Sequence, residues 1–561
     1  MQSAAAPPPE VGGDDVDRGF ESAPVPPVPS DARRLQAQVT DPDTGKVLVD
    51  RFVGGAVHEV KVRIAAEVAE GVVVGDAVFA SPTPGVDADL TVEVIAGASH
   101  ARRTLKLPAA GDSRWTRPVP VEVPSGVERF EVFVQLWFGG RVVQSAVLSG
   151  PVVLDSDTPP LAEKLRLSVD ASTPAAAVHR MAPADASITI VPGLAGDPVP
   201  LTFDQGQPIE VDRLAKANKG VRSVLLDAFR KPAPGSLAEA AGTLTRLAVR
   251  GRILHDSLRE STDDFPGDDA RWIHVSAFGS ADLPLELVYT HPKPASDDEV
   301  PVCPSALAGA GECGPGCPDR DRNDVVCPYG FWATSKVVER RRHVDRRTRT
   351  QAGSERTITL LAAGAAGVAV KADEVDVTAT RRIVEAVRAA VAAGHFRPVT
   401  TWKEVGEAAK APPTIMVLIT HTVPGDDDLG PDLQLGSDLI GAHRVGDDGF
   451  LNPDEREPGP VVIAIGCDTA DLDTSFTDYV TNLHAGGAEL VVSAISPVPG
   501  KQVADFVERL FAALPVYLAT PGEHRFGEVL TAVRRQTVAT GDVLALALTA
   551  SGDADVALQG A

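Results

Sequence analysis

Long apolar runs are missing. None in the 561 residues reaches the roughly 18 that a membrane-spanning helix requires. The first thirty residues also lack a basic start followed by an apolar core, so no secretion signal is expected. Basic residues are the second shortage. Lys and Arg number 53 against 77 Asp and Glu, a formal net charge of −24. So acidic a chain is repelled by phosphate backbones, which argues against general nucleic-acid binding. Cysteine is the third, because five residues are too few for a disulfide-built scaffold of this size. These absences predict a soluble cytoplasmic protein with no membrane and no nucleic-acid partner. What remains is ordinary globular material, with 43% apolar and 23% charged residues. At about 150 residues per domain the length suggests three or four units, or two larger ones.

The pattern changes along the chain. Residues 1–33 read as a disordered tail: the first thirty hold seven prolines and five acids against one Arg. Residues 34–155 read as an all-β, sandwich-like module. Val60, Val62 and Ile64 alternate with polar residues, as do Leu90, Val92 and Val94, and then Phe130, Val132, Val134 and Leu136. A period of two puts one face of each strand in a core. The module shows no chemistry, so binding or docking is its expected role. Residues 156–212 read as a β-rich connecting segment with strand candidates at Ile188–Val191 and Val199–Phe203.

From 213 to 561 the pattern is α/β. Residues 212–229 are expected to be helical, and Ser236-x-x-Glu239 is a capping box ahead of a second helix. Strands are expected at Ile273–Ala277, Leu285–Tyr289, Phe331–Val338, Ile358–Ala362, Ile415–Ile419, Val461–Ile465, Leu490–Ile495 and Val543–Leu548. Helices are expected at Thr378–Ala393, near Ser475–Ala485, through Val503–Leu514 and near Glu523–Val538. Apolar strands between amphipathic helices predict a mostly parallel sheet covered on both faces.

In such sheets the chemistry sits just past the carboxyl ends of the strands. His421 follows one apolar strand, in IMVLITHT, and Cys467 follows another, in VVIAIGCDTA. If these strands are neighbours, the imidazole can deprotonate the thiol and the thiolate can attack a carbonyl carbon. Alone, a strand-end Cys or His is more often a packed structural residue. His443 and His484 fall in a loop and a helix, which favours His421 as the base.

The order of further motifs narrows the reading. HAGGAELVVSAISPVP spans 484–499, LALALTASGDADVAL spans 544–558, LPLELVY spans 283–289 and CPYGFWATSKVVER spans 327–340. With the two strand ends, these resemble the CHAT family of caspase-like (clan CD) cysteine peptidases over roughly 215–561. The resemblance implies an α/β caspase-like fold with Cys467 as nucleophile and His421 as base. Thr422 stands where the family usually has glycine, and its backbone N–H can still serve the oxyanion. Asp468 fits the acidic or polar residue that usually follows the cysteine. The resemblance also implies cleavage of a partner protein, in bacterial defence or programmed cell death. The rival is an inactive caspase-like scaffold. A Cys-His hydrolase of small amides is a third reading.

Thr422, Asp468 and Asp473 are the expected substrate-binding residues. A buried carboxylate is what a basic P1 side chain requires, so cleavage after Arg or Lys is expected. The β module is the expected seat of any regulatory protein.

Cys303, Cys313, Cys317 and Cys327 lie in a Gly/Pro-rich stretch. Four thiols at this density can close around tetrahedral zinc in a structural role. Two disulfides or free thiols are the alternatives. The run of Lys and Arg at 336–349 is expected to be a solvated hairpin, with docking of an acidic partner as the sharper alternative. The connection 422–460, with ten acids against Arg444 and Arg456, is expected to be solvated for most of its length, or else to form an acidic substrate-binding rim.

Overall fold

The structure is a computed structural model. It describes residues 32–559 apart from 80, 84, 98, 156–157, 173–182, 191–200, 204–211, 232, 261–264, 279–282, 310–312, 314–316, 344–356, 360–364, 369–376, 392–395, 410–414, 420, 424–431, 436–437, 446–449, 452–458, 466–475 and 497. The proline-rich tail expected at the N-terminus lies outside the described residues up to position 31.

The N-terminal part is a two-sheet sandwich. One sheet orders Val47–Leu48, Arg34–Thr40, Val57–Ala65 and Val119–Glu122, with Val73–Val78 also on Arg34–Thr40. The other orders Arg166–Ser172, Arg141–Val153, Arg129–Phe138, Ala88–Ala96 and Ser99–Leu107, with Phe52–Val53 on Arg141–Val153. The alternating residues named above from both sheets meet in one apolar core. In the second sheet Glu93, Gln135 and Trp137 point away from that core and are still buried. What buries them is the next domain.

That domain is built on a ten-stranded sheet. Its order is Leu201–Phe203, Ala186–Ile190, Trp272–Phe278, Val337–His343, Leu548–Gly552, Leu490–Ala494, Val461–Ala464, Ile415–Ile419, Ala365–Val368 and Arg397–Val399. The connecting segment is thus divided: Arg166–Ser172 extends the sandwich, and Ala186–Ile190 joins the large sheet. Apart from the edge strand Leu201–Phe203, which pairs antiparallel with Ala186–Ile190, the sheet consists of two parallel blocks of opposite direction. Four strands from Ala186–Ile190 to Leu548–Gly552 run one way. Leu548–Gly552 then pairs antiparallel with Leu490–Ala494, and the four strands beyond follow that second direction.

The second block is buried on both faces. Ile415, Val417, Val461, Ile463, Leu490 and Val492 pack beneath helices Val377–Ala390, Gly500–Ala519 and Phe526–Val538. Met416, Leu418, Val462, Ala464 and Val491 pack on the other side against Trp402, Tyr479 and Leu483. This explains why these strands read as unbroken apolar runs.

Four expectations are corrected. Leu285–Tyr289 is a single 3-10 turn, Leu285–Leu287, in which Glu286 is turned inward to Arg340. Phe331–Val338 begins as the short helix Trp332–Ser335 and becomes a strand only at Val337. Val543–Leu548 is mostly a buried helical turn, Leu544–Ala547, and the strand follows it. Short apolar runs carry no period that separates the two states. The solvated hairpin at 336–349 is instead an interior strand up to His343, with Lys336 and Arg340 buried and Arg341 partly so. Residues 344–349 lie outside the described residues.

The two domains meet through a polar seam. The hairpin turn Gly139-Gly140, both with positive φ (58° and 74°), aims Arg141 into the large sheet, as a type I′ turn permits. A Cβ at Gly140 would lie 2.7 Å from the Ala184 carbonyl oxygen. Arg141 donates to Glu339 at 2.9 Å and 3.1 Å. Glu339 also accepts the Ala554 N–H at 2.9 Å and pairs with His274 Nδ1 at 2.8 Å. Trp137 stands edge-on to His274, and the Gln135 amide donates to the Ser276 hydroxyl.

Candidate active site and the four-thiol cluster

The strands Ile415–Ile419 and Val461–Ala464 are neighbours, parallel and in register from Ile415↔Val461 to Leu418↔Ala464. The Ile465 N–H extends the ladder to the Leu418 carbonyl at 3.2 Å. His421 comes three residues after Leu418, and Cys467 three after Ala464. The two described strands thus end side by side, about 4.8 Å apart within the ladder, and the sequence runs on from them to His421 and Cys467. The backbone of His421 and Thr422 opens a small antiparallel sheet in which His421 pairs with Gln434 and Thr422 with Leu433. Cys467, Asp468 and Asp473 lie outside the described residues, as does the side chain of His443.

The 422–460 connection is not wholly solvated. Its strands Asp432–Leu435 and Asp438–Gly441 form a hairpin that drives Leu433 and Leu435 into the core beside Trp402. The Trp402 indole N–H donates to the Leu433 carbonyl at 2.9 Å, and its backbone N–H to Asp438 at 3.0 Å. Two of the ten acids are thus partly buried scaffold. His484 is also structural, with Nδ1 at 3.0 Å from the Ala488 carbonyl and Nε2 at 3.1 Å from the Ser551 hydroxyl.

Sequence reasoning missed Ser496. Ser496 lies two residues past strand Leu490–Ala494, which pairs parallel and in register with Val461–Ala464. Ser496 is 6% exposed, and its hydroxyl has no hydrogen-bond partner among the described residues. The signal was the end of a third adjacent apolar strand.

The four cysteines come together. Cys303 Sγ lies 3.6 Å from Cys313 Sγ and 3.8 Å from Cys317 Sγ. Ligand atoms of Cys303, Cys313 and Cys327 lie within 4.8 Å of one another, and so do those of Cys303, Cys317 and Asp319. All four thiols are free and buried. The cluster could therefore hold a metal ion. Asp319 was not anticipated, because a lone acid two residues past a cysteine carries no signal of its own. Burial and the neighbouring thiols push Cys303 up to about 12.

No protein-family model matches the chain, and no curated protein matches it. Among solved structures it is similar to the Arg-specific cysteine proteinase gingipain R, at 11% identity over 56% of this chain and 68% of that one, TM-score 0.32. A complex of the Porphyromonas gingivalis RgpB pro- and mature domains gives 11% identity over 56% and 76%, TM-score 0.31. The Saccharomyces cerevisiae separase–securin complex gives 8% over 55% of this chain and 17% of that one, TM-score 0.29. Scores of this size carry no argument about chemistry, which has to come from the chain's own residues. No helix among the described residues is long and apolar enough to cross a membrane.

Proposed function

We propose that the chain is a caspase-like cysteine endopeptidase of the CHAT type. Cys467 is the nucleophile, His421 the base, and the Thr422 backbone N–H a donor to the oxyanion. The observation that supports this reading is the in-register pairing of the two strands that lead to His421 and Cys467. Imidazole deprotonates the thiol, the thiolate adds to the scissile carbonyl, and the imidazolium returns the proton to the leaving amine. Water then hydrolyses the acyl-enzyme. A long His–Cys separation before substrate arrives is compatible with this chemistry.

Cys467→Ala and His421→Ala should each abolish proteolysis with the fold intact, because both residues lie past strand ends. Residual cleavage by Cys467→Ala would overturn the assignment. A folded wild-type protein whose Cys467 resists thiol-directed probes would favour the scaffold reading instead.

The substrate is a partner protein, cut in the cytoplasm in bacterial defence or programmed cell death. This biology rests on the family resemblance alone. A basic P1 residue is drawn by Asp468 and Asp473, since a buried cation needs a carboxylate and Arg can pair with both its oxygens. Rates should then fall as salt rises. In a peptide library, Leu or Phe substrates cut as fast as Arg substrates, with Asp473→Asn changing neither rate, would remove the pocket. A regulatory protein on the β module would need a face other than the one that holds the large sheet. Zinc is the ion proposed for the four-thiol cluster, in a structural capacity.

A further inference from the structure

We infer that Cys303, Cys313, Cys317 and Cys327 form a closed tetrahedral zinc-thiolate centre, with Asp319 outside it as a fixed supporting carboxylate. Zinc–sulfur bonds of about 2.3 Å imply sulfurs about 3.8 Å apart in a tetrahedron. Cys303 meets two of the other sulfurs at 3.6 Å and 3.8 Å, whereas a disulfide would need about 2.05 Å. Soft thiolates in a tetrahedral set select zinc over oxygen-loving cations.

Cys317 and Asp319 compete for the fourth position, since both lie within 4.8 Å of Cys303. Asp319 is already held. One oxygen accepts from Arg322 at 2.8 Å, and the other from Ser305 at 3.3 Å and from the Cys303 thiol at 3.5 Å. Cys317 shows no such competing side-chain anchor among the described residues, so it is the fourth ligand. Its sulfur leaves the ion no open position for substrate.

The chain around the cluster explains what the ion does. From 303 to 327 the described backbone has one short helix, Pro304–Leu307, and little else that is regular. Its ends are brought together by Cys303 N–H to the Val326 carbonyl at 2.8 Å and by Val326 N–H to the Pro301 carbonyl at 2.9 Å. Cys327 N–H then donates to the Tyr289 hydroxyl at 3.1 Å. The ion cross-links this loop just before the Pro328–Gly330 turn. That turn leads into strand Val337–His343, which carries Glu339 to Arg141. Cys313 lines a cavity of about 550 Å³ together with Trp272, Tyr329, Lys336 and Arg535, which gives the ion a way in. Metal binding is therefore folding free energy for the first block of the sheet.

The test uses the full chain, purified without a metal-affinity tag. Elemental analysis should find about one zinc per chain, and the same amount in Cys467→Ala, since the centre is independent of the peptidase reading. Cobalt exchange should give thiolate-to-cobalt charge-transfer absorption with the strong visible bands of a tetrahedral site. Cys303→Ser and Cys327→Ser should lose the zinc. Cys317→Ser should weaken the charge-transfer band, while Asp319→Asn should keep both the zinc and the cobalt spectrum. Should the serine variants fail to fold, the wild-type chain still decides. Denatured with chelator and no reductant, it should show five titratable thiols. Only one titratable thiol, or folded protein free of metal, would overturn the centre. Loss of zinc in Asp319→Asn with retention in Cys317→Ser would overturn the ligand assignment.

Discussion

At the scale of single residues, this protein buries carboxylates and provides for most of them. Glu93 is fully buried, and against the burial that would raise it, His100 and Arg102 hold it down to about 2. Glu286 meets Arg340 inside the large-sheet domain. Glu339 is held below the usual range by Arg141 and His274, again against its burial. Burial keeps His274 neutral, and its contacts choose the tautomer. Nδ1 carries the proton toward Glu339, while Nε2 accepts the Val142 N–H at 3.5 Å. Asp542 is less well provided for. One oxygen caps the Leu544 N–H at 3.0 Å, and the other has no partner among the described residues. Burial, with a smaller contribution from Asp505, raises it from its ordinary 3.8 to about 7, and the Leu544 N–H and, to a lesser degree, Arg509 offset only part of this. The folded state thus binds more protons than the unfolded state between about pH 4 and pH 7, so this group's contribution falls as pH rises through that window and is flat above it. Asp542→Asn should stabilise the protein at pH 7.5, on the order of 2–4 kcal/mol, and the gain should shrink towards pH 4. Melting temperatures of both proteins across that range check this. An unchanged or lowered melting temperature at pH 7.5 would show that the ionised carboxylate is satisfied.

At the scale of elements, legibility followed burial. The strands Ile415–Ile419, Val461–Ala464 and Leu490–Ala494 were readable because a parallel strand covered on both faces has nothing but apolar side chains to show. Helix Asp212–Phe229 was readable because its signal is local, whereas the capping box expected at Ser236 forms a turn ahead of helix Ala241–Arg259, whose N-cap Ala240 has no side-chain cap. In the structure Glu239 Oε2 accepts the Gly235 N–H at 2.9 Å, and the Glu239 N–H donates to the Ser236 hydroxyl at 3.3 Å. The charged strand Val337–His343 was not legible. Lys and Arg in sequence look solvated, and only tertiary structure supplies the buried partners. Lys336 donates to the carbonyls of Gly267 at 3.0 Å and of Ala270, and burial lowers it to about 8. Arg340 finds Glu286 fifty-four residues away in sequence. For the same reason the sequence named His421 and Cys467 as strand-end residues but could not tell that their strands are adjacent. Strand order is a long-range property that no local pattern encodes, and here the order in space runs 490, 461, 415 by first residue number.

At the scale of the whole molecule, the sandwich is fastened to the large sheet by groups that neither domain could leave exposed alone. Glu93 accepts from the Trp137 indole at 2.9 Å within the sandwich and from the Thr189 hydroxyl at 3.0 Å across the seam. Arg341 donates to the Val142 carbonyl at 2.8 Å in the return direction. Arg141 lies over the Trp272 ring, 5.1 Å from its centroid. Removing one partner from a buried pair such as Arg141–Glu339 leaves an uncompensated charge, at a cost of about 3–5 kcal/mol. Such a seam couples the unfolding of both sides, since opening it exposes buried charge on each. The wild-type chain should therefore unfold as one calorimetric transition, although the sandwich and the large-sheet domain have separate apolar cores. In Arg141→Ala the buried Glu339 loses its cation, the coupling weakens, and the trace should broaden or divide into two. The large-sheet transition should move down more than the sandwich transition, because Glu339 belongs to the former. Two resolved transitions in the wild-type protein, or an Arg141→Ala trace that superimposes on it, would mean that the domains fold independently and that the seam is a contact without energetic consequence.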